Sequence, residues 1–522
     1  METFLQQHAR DVIGVLSGFD RLVFRATIRQ LAYVDGMLTY LATLKVRLTE
    51  FKAHAEALTE QLKAAVTGMV TRQGRPVIYL PSSKTDKEQM ARAIAARDDV
   101  RQGTICLLTS VEPCESFHIY RDKQRQRLEL RAYRSKCLFL YHYLLHPVFG
   151  FMHARIQSWF PFSVQVGING REWLARQLDR AQLPYVRREN CFAAVADLAR
   201  AQALLAAQCR VHWPRLLGQI AAALNPAHPQ MFRHFRAPYY WSTYQSEWAT
   251  DVLFRDPQRL ARLYPRLIDH GMRSFGSSDV LRFLGRKVPA HGAVHASFPG
   301  QIVTDLKRRP EGVRIKHRVN ANSIKMYDKQ GTVLRIETTI NDPTDFKVFR
   351  PVEGAPERGC AWLPMRQGIA DLYRRTVVAQ AANERYVQAL AAVSDATPLR
   401  EHLQRLTRPT TLAGQRVRGL RPWAADDLAV LQAIQRGEFT LNGLRNRDLC
   451  RLLYPTSATS PAERRRRVAR ITRQLRLLRA HGLLRKVPHT HRYQVTDRGR
   501  FIIAAILAAH QASTEQLMKL AA

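Results

Sequence analysis

The stretch Ile324–Asp342 reads IKMYDKQGTVLRIETTIND and alternates apolar with polar residues on both sides of a Gln-Gly step. Ile324 and Met326 fall on one face and Lys325 and Tyr327 on the other. In the return run, Leu334 and Ile336 stand against Arg335 and Glu337. A period of two broken at Lys329–Gly331 predicts an antiparallel hairpin, within 312–341, that buries one face. Tyr327, Asp328, Lys329, Arg335 and Glu337 then crowd into about a dozen residues. They are side chains able to hold a cation or a phosphate.

Working outward, the chain has 522 residues, 46% hydrophobic and 24% charged, long enough for roughly three domains and too apolar to be a disordered chain. The 81 Lys and Arg against 43 Asp and Glu leave a formal charge of +38, which calls for a polyanionic partner. Nucleic acid, DNA or RNA, fits best, because its phosphates release counterions when such a surface binds. No run of 18 apolar residues occurs, and METFLQQHARDVIGVLSGF has no basic segment ahead of an apolar one. A soluble, cytoplasmic protein without a membrane partner is expected. The seven cysteines are scattered and never form a CxxC pair, so reduced, mostly buried thiols are expected rather than disulfides or structural zinc.

The fold class expected is α+β and multidomain. Residues 1–70 read as helical, with Leu38, Leu41 and Leu44, then Leu58, Leu62 and Val66, at near-helical spacing. Residues 71–225 read as mixed α/β: a short strand, a helix capped by Ser82 or Ser83 and running to about Arg97, and the strand GTICLLTSV. SFHIYRDKQRQRLELRAY then reads as a hairpin with a charged turn, and FSVQVGING as a strand that closes at Gly170 into the helix REWLARQLDRA. Residues 226–393 form a second mixed region that holds the hairpin 312–341. Residues 394–422, rich in Pro, Thr, Gly and Arg, read as a basic linker.

From Trp423 to Ala522 the order is helix, helix, long helix, two short strands and a last helix, with the phrase YQVTDRGR before that last helix. This order over about 100 residues resembles the winged helix-turn-helix family. In the long helix, Val468, Ile471, Leu475 and Leu478 recur at helical spacing, and Arg464, Arg466, Arg467, Arg470 and Arg473 lie mostly off that stripe. The resemblance implies duplex contact by those arginines, with a wing around Lys486, His489, His491 and Arg492 on the adjacent backbone.

The phrases IKMYDK and LRIE resemble a segment of plasmid and phage rolling-circle replication initiators. That likeness implies a tyrosine nucleophile, Tyr327, and a divalent metal, Mg2+ or Mn2+, at Asp328 and Glu337. The chain departs from that family in lacking a His-hydrophobic-His strand: HAR at 153–155 and HGAVH at 291–295 do not fit. Lys325, Lys329 and Arg335 would hold the nucleic acid. In YYWSTYQSEWATDVLF, Glu247 and Asp251 stand four apart, on one face of an expected helix, as further metal ligands. His142 and His146 share the same spacing but lack an acid or third ligand, and read as core residues. SGFDRL, VEPCESF, NGREWLARQLD and QSEWATDVLF are similar to phrases of a family of uncharacterised bacterial proteins, which brings no activity with it.

The resulting expectation is a nucleic-acid-binding protein of a mobile element or replication system, with metal-dependent strand nicking at the hairpin as a subordinate activity. A non-catalytic RNA-binding scaffold and a transcriptional regulator are the alternatives.

Overall fold

The computed structural model describes residues 1–286, 302–309, 312–355, 357, 359–393, 399–436, 439, 443–488 and 490–515. The histidines of HGAVH, His291 and His295, and His489, expected in a wing, lie outside them. The described chain is mixed α and β, and a large mixed sheet dominates it.

In chain order the first elements are α1 (Glu2–Gln7), β1 (Val12–Ile28), α2 (Val34–Thr43), α3 (Phe51–Arg72), β2 (Val77–Tyr79) and α4 (Lys87–Arg97). The segment expected to be wholly helical therefore contains a 17-residue strand. Leu16, Leu22, Phe24, Ala26 and Ile28 of β1 are buried at every second position, the period of a strand. At α4 the cap is Asp86, not Ser82 or Ser83: its carboxylate accepts from the Gln89 amide at 2.9 Å.

Next come β3 (Gly103–Asp122), β4 (Arg127–His146), β5 (Gly150–Gln157), β6 (Val164–Asn169), α5 (Gly170–Arg180), β7 (Tyr185–Arg188), β8 (Cys191–Val195), α6 (Leu198–Ala206), α7 (Trp213–Leu224) and α8 (His228–Met231). Then follow β9 (Tyr239–Phe254), α9 (Pro257–Arg273), α10 (Ser277–Phe283), β10 (Ile302–Arg309), β11 (Gly312–Val319), β12 (Asn322–Lys329), β13 (Val333–Ile340), β14 (Lys347–Pro351), β15 (Cys360–Pro364) and α11 (Leu372–Leu390). The last elements are α12 (Leu399–Thr407), β16 (Thr410–Leu412), β17 (Gln415–Val417), α13 (Ala425–Ile434), α14 (Asn446–Leu453), α15 (Pro461–Ala480), β18 (Leu484–Lys486), β19 (Tyr493–Val495) and α16 (Asp497–Gln511).

The chain divides into two compact units. One comprises Gly18–Glu247 and Gln367–Leu372. Its strands run in the order β9-β1-β6-β5-β4-β3-β2, antiparallel at β6-β5, β5-β4 and β4-β3 and parallel at β3-β2. The β6–α5 junction depends on Gly170. Asn169 caps α5 by accepting from the Arg171 and Glu172 amides at 2.8 and 3.1 Å. The α5 backbone then passes so close to β1 that a Cβ at Gly170 would lie 1.8 Å from the Phe19 carbonyl oxygen. Backbone cannot yield as a flexible side chain does, so Gly170→Ala is expected to cost about 1–3 kcal/mol. A lowered urea midpoint at unchanged slope is the readout, and an unchanged midpoint would contradict this packing.

The other unit comprises Met1–Ser17, Trp248–Arg366 and Tyr373–Ala522, with strand order β10-β11-β12-β13-β9-β1. On one sheet face, Ile324, Met326, Leu334 and Ile336 are fully buried. Asn383 of α11 anchors there by donating to the Trp248 and Ile336 carbonyls at 3.0 and 3.1 Å. Residues 399–422 are not a linker: α12 and the β16–β17 hairpin form there, and Leu406 and Leu420 join the C-terminal core. That core also takes Leu431 and Ile434 from α13, Leu449 from α14, Ile471, Leu475 and Leu478 from α15, and Ile503 and Ile506 from α16. Val468, expected on the apolar stripe, is 43% exposed, because the first two turns of α15 extend beyond this core.

Among the described residues no helix is long and apolar enough to cross a membrane. Cys106, Cys114 and Cys191 are buried, Cys137 and Cys450 are half-buried, and Cys209 and Cys360 are exposed.

Candidate functional site

The hairpin register is set by its turn, where Gln330 and Gly331 both take positive φ. Lys325 faces Glu337, Tyr327 faces Arg335 and Asp328 faces Leu334. Successive side chains alternate across a sheet, so Lys325, Tyr327, Arg335 and Glu337 share one face and Asp328 takes the other. The expected metal pair of Asp328 and Glu337 is therefore not formed. Burial instead pushes the Asp328 carboxyl above its usual range, against the opposing pull of the Gly331 amide.

The polar face is itself covered, since every residue of β13 is buried. Arg335 and Asp251, each 1% exposed, form a two-pronged ion pair: Arg335 Nε to Oδ1 at 2.6 Å and Nη2 to Oδ2 at 2.8 Å. Arg335 cannot then serve nucleic acid, and Asp251 is engaged by a guanidinium rather than left to a metal. Lys329, at 7% exposed, is likewise withdrawn from a nucleic-acid surface. Lys325 is half-buried and pairs with Glu337 at 2.5 Å. Tyr327 Oη donates to Glu337 Oε2 at 2.8 Å.

Glu247 and Asp251 lie on strand β9, not on a helix. A spacing of four also keeps one face of a strand, so the shared face survives the change of element. His142 and His146 are likewise strand residues, on β4. His142 Nε2 lies 3.0 Å from Thr104 Oγ1, and burial lowers its pKa to about 4. His146 Nδ1 accepts from the Val148 and Phe149 amides at 3.1 and 3.3 Å.

Asp20 and Glu247 bring one carboxylate oxygen each within 4.8 Å of one another in one unit, and Glu337 supplies a buried carboxylate in the other. Oxygen donors of this kind suit a hard divalent cation. Nearby cations temper the charge. Arg171 lies 3.8 Å from Asp20 and Arg21 lies 4.0 Å from Glu247, while the Asn190 amide donates to Asp20 at 2.7 Å. Sequence reasoning found Glu247 and Glu337 and missed Asp20. Its signal is a lone carboxylate among Leu16, Leu22, Phe24 and Ala26 on one face, visible only once SGFDRLVF is read with a period of two.

The C-terminal arginines divide into two groups. Arg464, Arg465, Arg466 and Arg473 are exposed on α15. Arg467 is committed to the protein: it pairs with Glu463, donates to the Thr456 carbonyl at 2.6 Å and lies 4.9 Å over the Tyr454 ring. Arg470 pairs with Asp426. Lys486 is exposed on β18, whereas Arg492 is half-buried, 4.9 Å over the Phe349 ring. Burial, with Arg445 and Arg447 nearby, pulls the Arg492 pKa down.

No family model matches the chain, nor does any curated protein or solved structure.

Proposed function

We propose that this chain is a nucleic-acid-binding protein of a mobile element or replication system, and that it docks on duplex DNA through a C-terminal winged helix. The observation that carries this reading is α15, with Arg464, Arg465, Arg466 and Arg473 exposed along a helix anchored by the apolar core beneath it. Three adjacent exposed guanidinium groups repel one another in water, and phosphates relieve that repulsion. The β18–β19 hairpin, with Lys486, stands as the wing.

A second reading, metal-dependent strand nicking, is favoured by the hydrogen bond that Tyr327 already gives Glu337. Mg2+ or Mn2+ held by such carboxylates would stabilise negative charge building on a phosphate. In this reading Tyr327 Oη forms a bond to phosphorus as the bond to the leaving sugar oxygen breaks. The phenolic proton passes to Glu337 Oε2, its present hydrogen-bond acceptor, and the leaving oxygen takes a proton from water.

The test begins with nucleic acid co-purified with the full chain, followed by labelled single- and double-stranded DNA incubated with Mg2+ or Mn2+. Cleavage that leaves protein joined to one product, and that is lost in Tyr327→Phe, supports nicking. A stable, specific RNA with no DNA cleavage sinks nicking and favours the scaffold. Metal binding has a separate readout. Mn2+ at 100 times its dissociation constant is expected to stabilise the wild type by about 2.7 kcal/mol. Glu337→Gln should lose most of that gain, and an equal gain in both proteins would remove Glu337 as a ligand.

A further inference from the structure

The longest hairpin among the described residues has no part in the function proposed for α15 or for Tyr327 and its carboxylates. Strands β3 and β4 are registered continuously from Val111↔Leu138 to Asp122↔Arg127. Their neighbours stop well short of the tip: β2 pairs only with Leu107–Thr109, and β5 pairs only with Phe139–His146. Among the described residues, the eleven pairs from Glu112↔Cys137 outward thus have no third strand beside them, although Phe117 and Leu130 are buried on one face and the Glu115 carbonyl accepts from Gln157 Nε2 at 3.2 Å. At about 3.3 Å per residue this ribbon is roughly 35 Å long.

Its chemistry differs from that of the sheet at its base. From Glu112 to Cys137 the sequence carries seven basic residues, Arg121, Lys123, Arg125, Arg127, Arg131, Arg134 and Lys136, against the four acids Glu112, Glu115, Asp122 and Glu129. Glu129 draws in Arg127 and Arg131, at 2.7 and 3.0 Å, while Arg121, Lys123, Arg134 and Lys136 stay exposed. Exposed tyrosines stand among them: Tyr120 lies under the Arg131 guanidinium at 3.7 Å, and Tyr133 packs edge-on against His118 at 4.6 Å. Stacked in this way, the long side chains are held in place on the ribbon before any partner arrives.

We propose that this ribbon is a second nucleic-acid contact, inserted into the major groove of duplex DNA. The proposal rests on the nucleic-acid reading above but uses a different unit of the chain from α15. Two antiparallel strands about 4.8 Å apart fit a B-form major groove about 12 Å wide, which admits such a ribbon. The deep, narrow major groove of A-form RNA does not. The exposed basic residues, spread from Lys136 near the base to Lys123 at the tip, then reach phosphates on either groove wall.

The test compares three full-length proteins: wild type, a ribbon variant (Arg121→Ala, Lys123→Ala, Arg125→Ala, Arg134→Ala) and a helix variant (Arg464→Ala, Arg465→Ala, Arg466→Ala, Arg473→Ala). Fluorescence anisotropy on a 30-base-pair DNA duplex and its RNA counterpart is recorded across a salt series. The ribbon variant is expected to bind DNA at least about tenfold more weakly, with a salt slope shallower by roughly 2–4, and to change little on RNA. The replaced side chains are exposed, and an unchanged melting profile verifies the fold. An unchanged DNA affinity in the ribbon variant, with a loss in the helix variant, overturns the ribbon and leaves the C-terminal docking standing. Equal losses on DNA and RNA overturn groove insertion. Absence of duplex binding by the wild type overturns both readings.

Discussion

Replacing Arg335 with alanine is expected to lower stability by about 3–5 kcal/mol, because it leaves the Asp251 carboxylate buried beside an empty space. Both partners are 1% exposed and joined by two short hydrogen bonds, so water cannot take the place of the guanidinium. Asp251→Ala is expected to cost a similar amount by stranding the guanidinium. Replacing both at once, as Asp251→Leu with Arg335→Met, should recover most of the loss, since an apolar pair of similar volume carries no desolvation penalty. Denaturation of the full chain, with hydrogen exchange followed at the β9 and β13 amides, reads the effect where it arises. A loss under about 1 kcal/mol in either single variant would mean that the pair is solvated.

The second large effect falls on binding. Converting Arg464, Arg465, Arg466 and Arg473 together to alanine is expected to weaken duplex DNA binding roughly a hundredfold at moderate salt. The salt slope should fall by about 3–4, close to one unit for each phosphate no longer neutralised. Arg467→Ala and Arg470→Ala form the contrast. Their guanidinium groups pair with Glu463 and Asp426, so each should change the slope by clearly less than one exposed arginine does. Arg467→Ala should lower stability instead, since its contacts to Glu463, Thr456 and Tyr454 tie the start of α15 to the loop before it. A slope change in Arg467→Ala or Arg470→Ala as large as a quarter of that in the fourfold variant would contradict this division.

The sequence was most informative where one local pattern decides the structure. The hairpin register and its turn follow from alternation around Gln330-Gly331, and the β6–α5 junction follows from Asn169-Gly170. The reading failed where the spacing was ambiguous. Glu247 and Asp251, four apart, satisfy a helix and a strand alike, and only the β-branched and aromatic neighbours in WATDVLF favour the strand. The N-terminal strand was hidden because Phe19, Leu22 and Phe24 fit a basic amphipathic helix nearly as well as an alternating strand. Residues 399–422 looked like a linker because Pro and Arg dominate them, yet Leu406 and Leu420 suffice to tie them to a core.

The site was legible in its residue types and not in its pairings. Nothing local says that β13 is covered on both faces, and that burial is what turns Arg335 from a nucleic-acid contact into a structural ion pair. The same burial brings Glu337 under the hydroxyl of Tyr327 and leaves Asp328 on the opposite face. Asp20 reaches Glu247 from a segment more than 200 residues away in sequence, a juxtaposition that only tertiary structure supplies.

The central claim, that the positive charge of this chain serves duplex DNA, is tested most directly by the salt dependence of binding by the unaltered full-length protein. The expected result is a straight line of log K against log salt, falling with a slope of about −4 or steeper between 50 and 200 mM. A slope near zero, or no binding to duplex DNA at 50 mM salt, would contradict it.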